Sequence, residues 1–349
     1  MTDKQWQILL AIIKGEIIKP IPVGFIIDSP WLPNWAGISI FDYLSNPELW
    51  FSANIKAVKT FPEVLFLPGF WSEYGMCSEP SSFGSRCIWG ENEFPFAEKV
   101  LQDIGDMSNL PHPDVHKDGL LPFIIKRPIQ FRKRIEEEGH RIRFAISRGP
   151  LNIASFLMGS TDFLIGLKTQ PKEIKFFLER IANFIIEWLY FQKKTFSSID
   201  GIFLLDDIVG FLGEDDFRTF AFPFLKKIFH SFDVSVKFFH NDMPGMVSVP
   251  YLKEIGVNLY NFSSQHSLQE MKEAAGNEIV LLGNIPPVKV MAEGTLQIIA
   301  ESVKQTLDMI QDKSKIILSC GGGMPPGVPT KNIIAFLETV NKLTKNKYR

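Results

Sequence analysis

Short apolar runs alternate with longer amphipathic segments from about residue 140 onward. The runs are four to six residues long and rich in Val, Ile, Leu and Phe, which is typical of strands buried in a parallel sheet. They lie at 142–147 (IRFAIS), 201–205 (GIFLL), 234–239 (VSVKFF), 257–262 (VNLYNF), 279–282 (IVLL) and 315–319 (KIILS). An earlier run at 22–27 (PVGFII) predicts a first strand.

The segments between these runs carry helical signals. Pro171 suits the first position of a helix, and Ser267 forms a capping-box pair with Glu270. Apolar residues recur at helical spacing along 174–188 and 299–310, and Thr330 is placed to cap a last helix. Regular alternation of strand and helix predicts a parallel sheet, either closed as a (β/α)8 barrel or open and doubly wound.

The barrel is the favoured alternative, because the sequence has no Gly-x-Gly-x-x-Gly after its first strand and no P-loop. The first 120 residues are irregular and rich in Pro, Gly and aromatic side chains. The chain shows neither a low-complexity linker nor an internal repeat. We therefore expect one α/β domain over 1–349, a single (β/α)8 barrel with an irregular, aromatic-rich N-terminal region.

Composition and charge narrow the class of protein further. The 349 residues include 37 Lys and Arg against 39 Asp and Glu, so no basic surplus favours a nucleic-acid partner. Three scattered cysteines do not make a disulfide framework, and Cys77 and Cys87 are interpreted as structural. The first residues lack the pattern of a signal peptide, and no run reaches the roughly 18 apolar residues of a membrane span. We expect a cytoplasmic protein.

Polar groups stand at the ends of six consecutive predicted strands. In a barrel the carboxyl ends of the strands surround the active site, so these side chains are expected to face one pocket. They are Arg148, the pair Asp206 and Asp207, His240, Ser263, Asn284 and Cys320.

Three residues in or beside this set are suitable metal ligands. His240 and Asp242 are two positions apart at a strand end, so strand geometry puts both side chains on the same side. Cys320 is followed by three glycines, which allow a ligand to approach the backbone closely. One imidazole, one carboxylate and one thiolate predict a zinc site with a position left open for catalysis.

Each of these residues also has a simpler structural interpretation. His240 fits a hydrogen-bonded loop histidine, Cys320 fits a small buried hydrophobic residue, and Asp242 fits a cap for the following turn. Asp206 and Asp207 fit helix N-caps, and one of the two is expected to cap the next helix. Adjacent residues on a strand point to opposite sides, so only one aspartate of the pair is expected to act in catalysis.

Four segments resemble the uroporphyrinogen decarboxylase superfamily. The resemblance is strongest after residue 140, and its most specific parts are the GNIPP and GGGMPPGVP stretches. The four segments are 149–163 (GPLNIASFLMGSTDF), 240–242 (HND), 281–295 (LLGNIPPVKVMAEGT) and 319–333 (SCGGGMPPGVPTKNI). The resemblance implies a single (β/α)8 barrel, in agreement with the order of elements along the chain.

The resemblance also separates two branches of that superfamily. Uroporphyrinogen decarboxylases carry an arginine-rich segment after the first strand, whereas 25–37 (FIIDSPWLPNWAG) contains no arginine. They also carry a histidine in a Gly-His-Gly turn near the C-terminal end, where this chain has Gly322. A substrate with eight carboxylates is therefore disfavoured.

The second branch comprises cobamide-dependent methyltransferases such as methylcobamide:coenzyme M methyltransferase. Their zinc site is built from a His-x-Cys pair and a cysteine in a glycine-rich turn, and His240 and Cys320 are similar to the first and last of these ligands. Asp242 departs from the pattern because it stands in place of the second ligand, a cysteine. A carboxylate makes the bound ion more electrophilic than a thiolate does, so the methyl donor or acceptor stays open between a thiol and an oxygen-centred, methoxylated compound.

The resemblance thus implies a metal-dependent methyltransferase that moves a methyl group between a small molecule and a corrinoid on a partner protein. His240, Asp242 and Cys320 are the expected ligands of a divalent ion, most simply Zn²⁺. Asp207 is favoured over Asp206 as the catalytic acid because it resembles the pocket-directed member of the family's pair. The expected substrate-binding residues are Glu73, Arg148, Asn241 and Asn284.

Two other functions stay open at this point. One is a decarboxylase of a smaller carboxylic acid, using Asp206 or Asp207 together with Arg148. The other is a corrinoid-binding accessory protein that kept the barrel and lost turnover. The sequence indicates neither the methyl donor nor the acceptor, nor the direction of transfer.

Overall fold

Eight parallel strands stand in chain order around the domain in a computed structural model that describes residues 1–27 and 30–345. Six of them form one continuous parallel sheet in the order β8-β7-β6-β5-β4-β3. The strands are β1 (Gly24–Ile26), β2 (Leu65–Leu67), β3 (Phe144–Arg148), β4 (Gly201–Leu205), β5 (Val236–Asn241), β6 (Leu259–Phe262), β7 (Val280–Ile285) and β8 (Ile316–Cys320). The predicted α/β barrel architecture is confirmed.

The first two strands extend this sheet beyond β8. β1 and β2 pair in parallel, and a parallel bridge joins Val23 to Leu318, whose N–H donates to the carbonyl of Pro22 at 2.9 Å. The sequence did not predict β2, because this strand has only three residues and lies in the irregular N-terminal region. A separate antiparallel hairpin pairs Cys87–Ile88 with Phe96–Ala97 in the N-terminal region.

Strand alternation divides the core into two layers. The inward residues form one apolar cluster inside the barrel, and the residues between them pack outward under the helices. The inner cluster includes Phe144, Phe203, Phe238, Leu259, Val280, Leu282 and Ile317. Trp6 and Leu9 of the first helix join it, so that helix covers the amino end of the barrel. The opposite, carboxyl end is left for polar side chains.

The helices begin at the signals predicted from the sequence, except that the N-cap of the last helix lies one residue earlier than predicted. The capping box of Ser267 and Glu270 begins its helix, and Pro171 is the first residue of the longest one. Thr330 is itself the first helical residue, and Pro329 occupies the N-cap position that Thr330 was predicted to fill.

The α-helices have the following bounds: α1 (Asp3–Ile13), α2 (Trp31–Ala36), α3 (Ile40–Ser45), α4 (Pro47–Thr60), α5 (Leu121–Glu137), α6 (Pro150–Met158), α7 (Ser160–Thr169), α8 (Pro171–Thr195), α9 (Glu214–Asp216), α10 (Phe222–His230), α11 (Leu252–Ile255), α12 (Leu268–Ala275), α13 (Leu296–Met309) and α14 (Thr330–Thr344). Within the described ranges, no single one of them is long and apolar enough to cross a membrane. The pair α6 and α7, bent by 106°, passes that test by length and composition only.

Candidate metal centre

Three side chains at the carboxyl end of the barrel bring their ligand atoms within 4.8 Å of one another. The Nε2 atom of His240 lies 3.6 Å from Oδ1 of Asp207 and 3.9 Å from Oδ2 of Asp242. Among the residues that the structure describes, this is the group of His, Cys, Asp and Glu side chains arranged to hold a metal ion. His240 and Asp242 therefore come together as the sequence predicts, and Asp207 joins them.

Two neighbouring segments of the chain bring these three side chains together. His240 is an inward residue near the end of β5, and Asp242 follows two positions later on the same side. Asp207 is the first residue of a 3-10 helix (Asp207–Phe211) that begins just after β4. The backbone N–H of Asp242 donates to Oδ1 of Asp207 at 3.2 Å, which ties the two strand ends together.

Burial differs sharply within the group. The side chain of His240 is 7% exposed, whereas those of Asp207 and Asp242 are 36% and 45% exposed. The imidazole thus forms the floor of the group, and the two carboxylates face the solvent from which an ion arrives. Partial burial raises the pKa of the Asp207 carboxyl, the neighbouring His240 acts in the opposite direction, and the Asp242 carboxylate raises it further.

This donor set fits a divalent cation. Two carboxylates this close repel one another, and a cation between them removes the repulsion. An imidazole nitrogen and carboxylate oxygens are ligands that Zn²⁺ accepts, and three protein ligands leave a position open. The set contains no sulfur, so it also suits harder divalent ions.

The far side of the His240 ring contacts a residue that the sequence analysis missed. Nδ1 of His240 lies 2.7 Å from Oδ1 of Asn261, a fully buried inward residue of β6. The Asn261 Nδ2 atom donates to the carbonyl oxygens of Leu282 at 2.7 Å and of Cys320 at 3.5 Å. The signal that predicts Asn261 is an amide at an inward position of the run 257–262, two residues before Ser263.

Cys320 lies outside this group of three, and its role as a ligand stays a prediction. Along β8, Ile317 lies in the inner cluster, whereas Leu318 and Cys320 lie in the outer one, so alternation gives the inward position to Ser319. The thiol of Cys320 points to the carbonyl of Gly322 at 3.8 Å. The glycine-rich turn meets the site through Gly322 instead, where a Cβ atom would lie 2.9 Å from Oδ2 of Asp242.

Asp206 has a structural role at the neighbouring helix. It is fully buried, and its two carboxylate oxygens accept the backbone N–H groups of Leu151 at 2.9 Å and Asn152 at 3.0 Å. The expected capping therefore exists, but the capped helix is α6, which precedes the aspartate in the chain. Burial raises the pKa of Asp206 well above its usual range, although the two N–H groups act in the opposite direction.

We expect Asp206→Ala and Asp207→Ala to have separate consequences. Loss of the Asp206 cap should lower the free energy of unfolding by about 1–2 kcal/mol. Loss of Asp207, which is partly exposed and accepts one backbone hydrogen bond from Asp242, should lower that free energy by only about 0.5 kcal/mol and should remove bound metal. Urea unfolding and metal analysis of both variants measure this, and equal losses of stability would contradict the assignment.

Arg148 and Glu73, both predicted to bind substrate, bind each other. Nη2 of Arg148 lies 3.0 Å from Oε2 of Glu73, and Nη1 lies 3.2 Å from Oε2 of Glu79, all three side chains being buried. Burial alone would lower the pKa of Arg148, but Glu79 and Glu73 together raise it. Arg148 ends β3 and Glu73 follows β2, so this ion cluster spans two strands that share no ladder among the described residues.

Asn241 and Asn284 were both predicted to bind substrate, and the structure shows where each of them points. Asn241 alternates with His240 and therefore points away from the barrel interior, where it is fully buried and lies against Gly210. The structure thus turns Asn241 out of the pocket that it was predicted to line. Asn284 is an inward residue of β7, and its Nδ2 atom donates to the carbonyl of His266.

Comparison with known sequences identifies the family of this chain. The sequence profile of the uroporphyrinogen decarboxylase (URO-D) family matches residues 5–343, so the chain belongs to that enzyme family. Uroporphyrinogen decarboxylase of Dichelobacter nodosus is 22% identical over 97% of this chain and 98% of its own length. The enzyme of the same name from Prochlorococcus marinus is 28% identical over 73% of each chain.

Comparison with solved structures confirms the fold. A methyltransferase from Methanosarcina mazei superposes with a TM-score of 0.80 at 18% identity, covering 96% of this chain and 97% of that one. A B12-independent methionine synthase from Shewanella sp. W3-18-1 gives a TM-score of 0.60 at 12% identity, over 93% of this chain and 98% of the other. At these identities the likeness concerns the fold, and the reaction has to be argued from the site.

Proposed function

We propose that this protein is a metal-dependent methyltransferase that moves a methyl group between a small molecule and a corrinoid carried by a partner protein. The observation that carries the proposal is the group of Asp207, His240 and Asp242 at the carboxyl end of the barrel. The likeness to the methyltransferase from Methanosarcina mazei supports it. Asp207 takes the place of Cys320 as the third proposed ligand.

The charge of the barrel mouth argues against the reaction that names the family. Arg148 is buried between two carboxylates, and two further carboxylates belong to the candidate metal centre. These two groups together hold four carboxylates and one guanidinium, and both Nη atoms of that guanidinium are already paired with Glu73 and Glu79. A substrate with many carboxylates would be repelled here, whereas a divalent cation with a neutral or cationic small molecule would be attracted.

The chain's residues have distinct parts in the proposed reaction. When bound, a divalent ion supplies Lewis acidity, which lowers the pKa of a coordinated thiol or stabilises a departing oxygen. His240 would bind the ion through Nε2, while the carboxylates of Asp207 and Asp242 would offset its two positive charges. Because no thiolate donates charge to the ion, the site favours an alkoxide or phenoxide over a thiolate as the group to be stabilised.

The proposal is tested by methyl transfer from methylcobalamin to phenolic and thiol acceptors. We expect the wild type to prefer the phenolic acceptor. Asp242→Cys should keep the metal but slow transfer to that acceptor by about tenfold or more, because a thiolate makes the ion less electrophilic. Metal analysis of both proteins separates a slower reaction from a lost ion.

The absence of methyl transfer to or from any acceptor would contradict the proposal. The alternative, a decarboxylase of a smaller acid, is favoured by the names of the sequence relatives. It would need Arg148 together with Asp206 or Asp207, yet Arg148 is paired and Asp206 caps a helix. Release of CO₂ from small carboxylic acids without methyl transfer would support it.

A further inference from the structure

A buried amide contacts His240 on the side opposite the carboxylates. Asn261 stands beside His240 in the register of β5 and β6, and both side chains point inward. Its Oδ1 atom lies 2.7 Å from Nδ1 of His240. The side chain is fully buried, so it is shielded from bulk solvent.

The orientation of the Asn261 amide follows from the contacts on the side away from His240. Backbone carbonyl oxygens only accept hydrogen bonds, so the atom facing the carbonyls of Leu282 and Cys320 has to be the NH₂ nitrogen. A flipped amide would set its oxygen against two carbonyl oxygens. Oδ1 therefore faces His240, and because Oδ1 only accepts, Nδ1 of His240 has to carry the hydrogen.

We propose that Asn261 is a positioning residue that keeps a hydrogen on Nδ1 of His240, so that Nε2 is the nitrogen left free whenever the ring carries one hydrogen. The Nε2 lone pair then points toward Asp207 and Asp242 before any ion arrives. The role of this nitrogen as a metal ligand rests on the proposed function, whereas the tautomer itself does not. Cys320 contributes to the arrangement through its backbone carbonyl and not through its thiol.

Neither aspartate nor leucine could replace the amide at this position. An aspartate would bring a second oxygen against the carbonyls of Leu282 and Cys320 and lose both donated hydrogen bonds. A leucine, which has nearly the same shape, would leave Nδ1 of His240 without an acceptor, and the ring could then carry its proton on either nitrogen. A metal-binding histidine whose other nitrogen is held in this way binds its ion more tightly.

The test is the ¹⁵N spectrum of the histidine ring nitrogens in metal-free protein, with the His240 signals assigned by their loss in His240→Ala. In the wild type we expect a protonated Nδ1 and an unprotonated Nε2 at a pH where the ring is neutral. In Asn261→Leu we expect the Nε2–H form to appear. If Nε2 carries the hydrogen in the neutral His240 ring of the wild type, the proposal is overturned. This result does not depend on whether any variant folds.

A matched control separates positioning from general loss of a buried amide. Asn332 is also buried, and its Nδ2 atom donates to the carbonyls of Met291 at 2.8 Å and Gly294 at 3.2 Å. Asn332→Leu should leave the tautomer of His240 unchanged. In a chelator competition with Zn²⁺, Asn261→Leu should weaken binding roughly 10–100-fold, and Asn332→Leu should not weaken it.

These outcomes distinguish the two proposals. If wild-type protein shows the Nδ1–H tautomer but binds no divalent ion, the proposed function fails and the positioning by Asn261 stands. If the protein binds Zn²⁺ and transfers methyl groups while Nε2 carries the proton in the metal-free state, the positioning fails and the proposed function stands. Equal Zn²⁺ affinity in the wild type and a folded Asn261→Leu would also overturn the positioning.

Discussion

Replacing His240 with alanine is expected to abolish stoichiometric metal binding and methyl transfer. The imidazole is the buried floor of the site, and two partly exposed carboxylates alone bind a divalent ion weakly in water. We expect the dissociation constant for Zn²⁺ to rise by more than about 100-fold, since loss of a ligand exceeds the effect of losing a residue behind it. Metal analysis after gel filtration and a chelator competition measure this change.

Two control variants make that result specific. His230 lies on the surface at the end of α10, where its Nε2 atom contacts the carbonyl of Glu254 at 3.1 Å, so His230→Ala should keep full occupancy. Cys320→Ser should keep it as well, because the thiol points toward Gly322 and away from the barrel interior. Full occupancy in His240→Ala, or a loss in Cys320→Ser as large as that in His240→Ala, would refute the assignment of ligands.

The largest effect on stability is expected from Arg148→Met. Glu73 and Glu79 are 4% exposed, and removal of the guanidinium leaves two carboxylates buried without their counter-ion. Breaking a buried pair in this way costs about 3–5 kcal/mol. The cluster also links β3 to the chain after β2, so the loss should be seen in global unfolding by urea. We expect a lower midpoint for Arg148→Met, and a partial recovery when Glu73→Gln and Glu79→Gln are added.

An exposed ion pair provides the comparison for this prediction. Arg134 contacts Glu48 at 2.8 Å, and the two side chains are 48% and 61% exposed. A pair of this kind contributes at most about 1 kcal/mol, so Arg134→Met should change the free energy of unfolding much less than Arg148→Met does. Similar changes in the two variants would show that burial of the Arg148 cluster adds no stability.

Strand periodicity explains which parts of the site could be predicted from the sequence. The apolar runs locate most of the barrel strands, and a spacing of two residues puts His240 and Asp242 on one side. The same rule applies to β8. Ile317 is inward, so Ser319 is inward and Cys320 is not. The resemblance to a cysteine-ligated zinc site predicts Cys320 as a ligand, whereas strand alternation gives the inward position to Ser319.

Other features depend on geometry that no local pattern contains. Asp207 lies just beyond β4 in a 3-10 turn, so strand periodicity does not fix where its carboxylate points. Asp206 caps a helix 55 positions earlier in the chain, and Arg148 pairs with Glu73 across a separation of 75. Contacts of this kind join segments that are far apart in the chain and become visible only in the folded protein.

The central claim is that nitrogen and oxygen atoms of Asp207, His240 and Asp242 hold the ion. X-ray absorption at the zinc edge of Zn²⁺-loaded protein tests it most directly, because zinc–sulfur bonds are about 2.3 Å long and zinc–nitrogen or zinc–oxygen bonds about 2.0–2.2 Å. We expect only the shorter distances, with no sulfur scatterer, and the same spectrum for Cys320→Ser. A sulfur at about 2.3 Å in the wild type that disappears in Cys320→Ser would contradict the claim and restore the thiolate as a ligand.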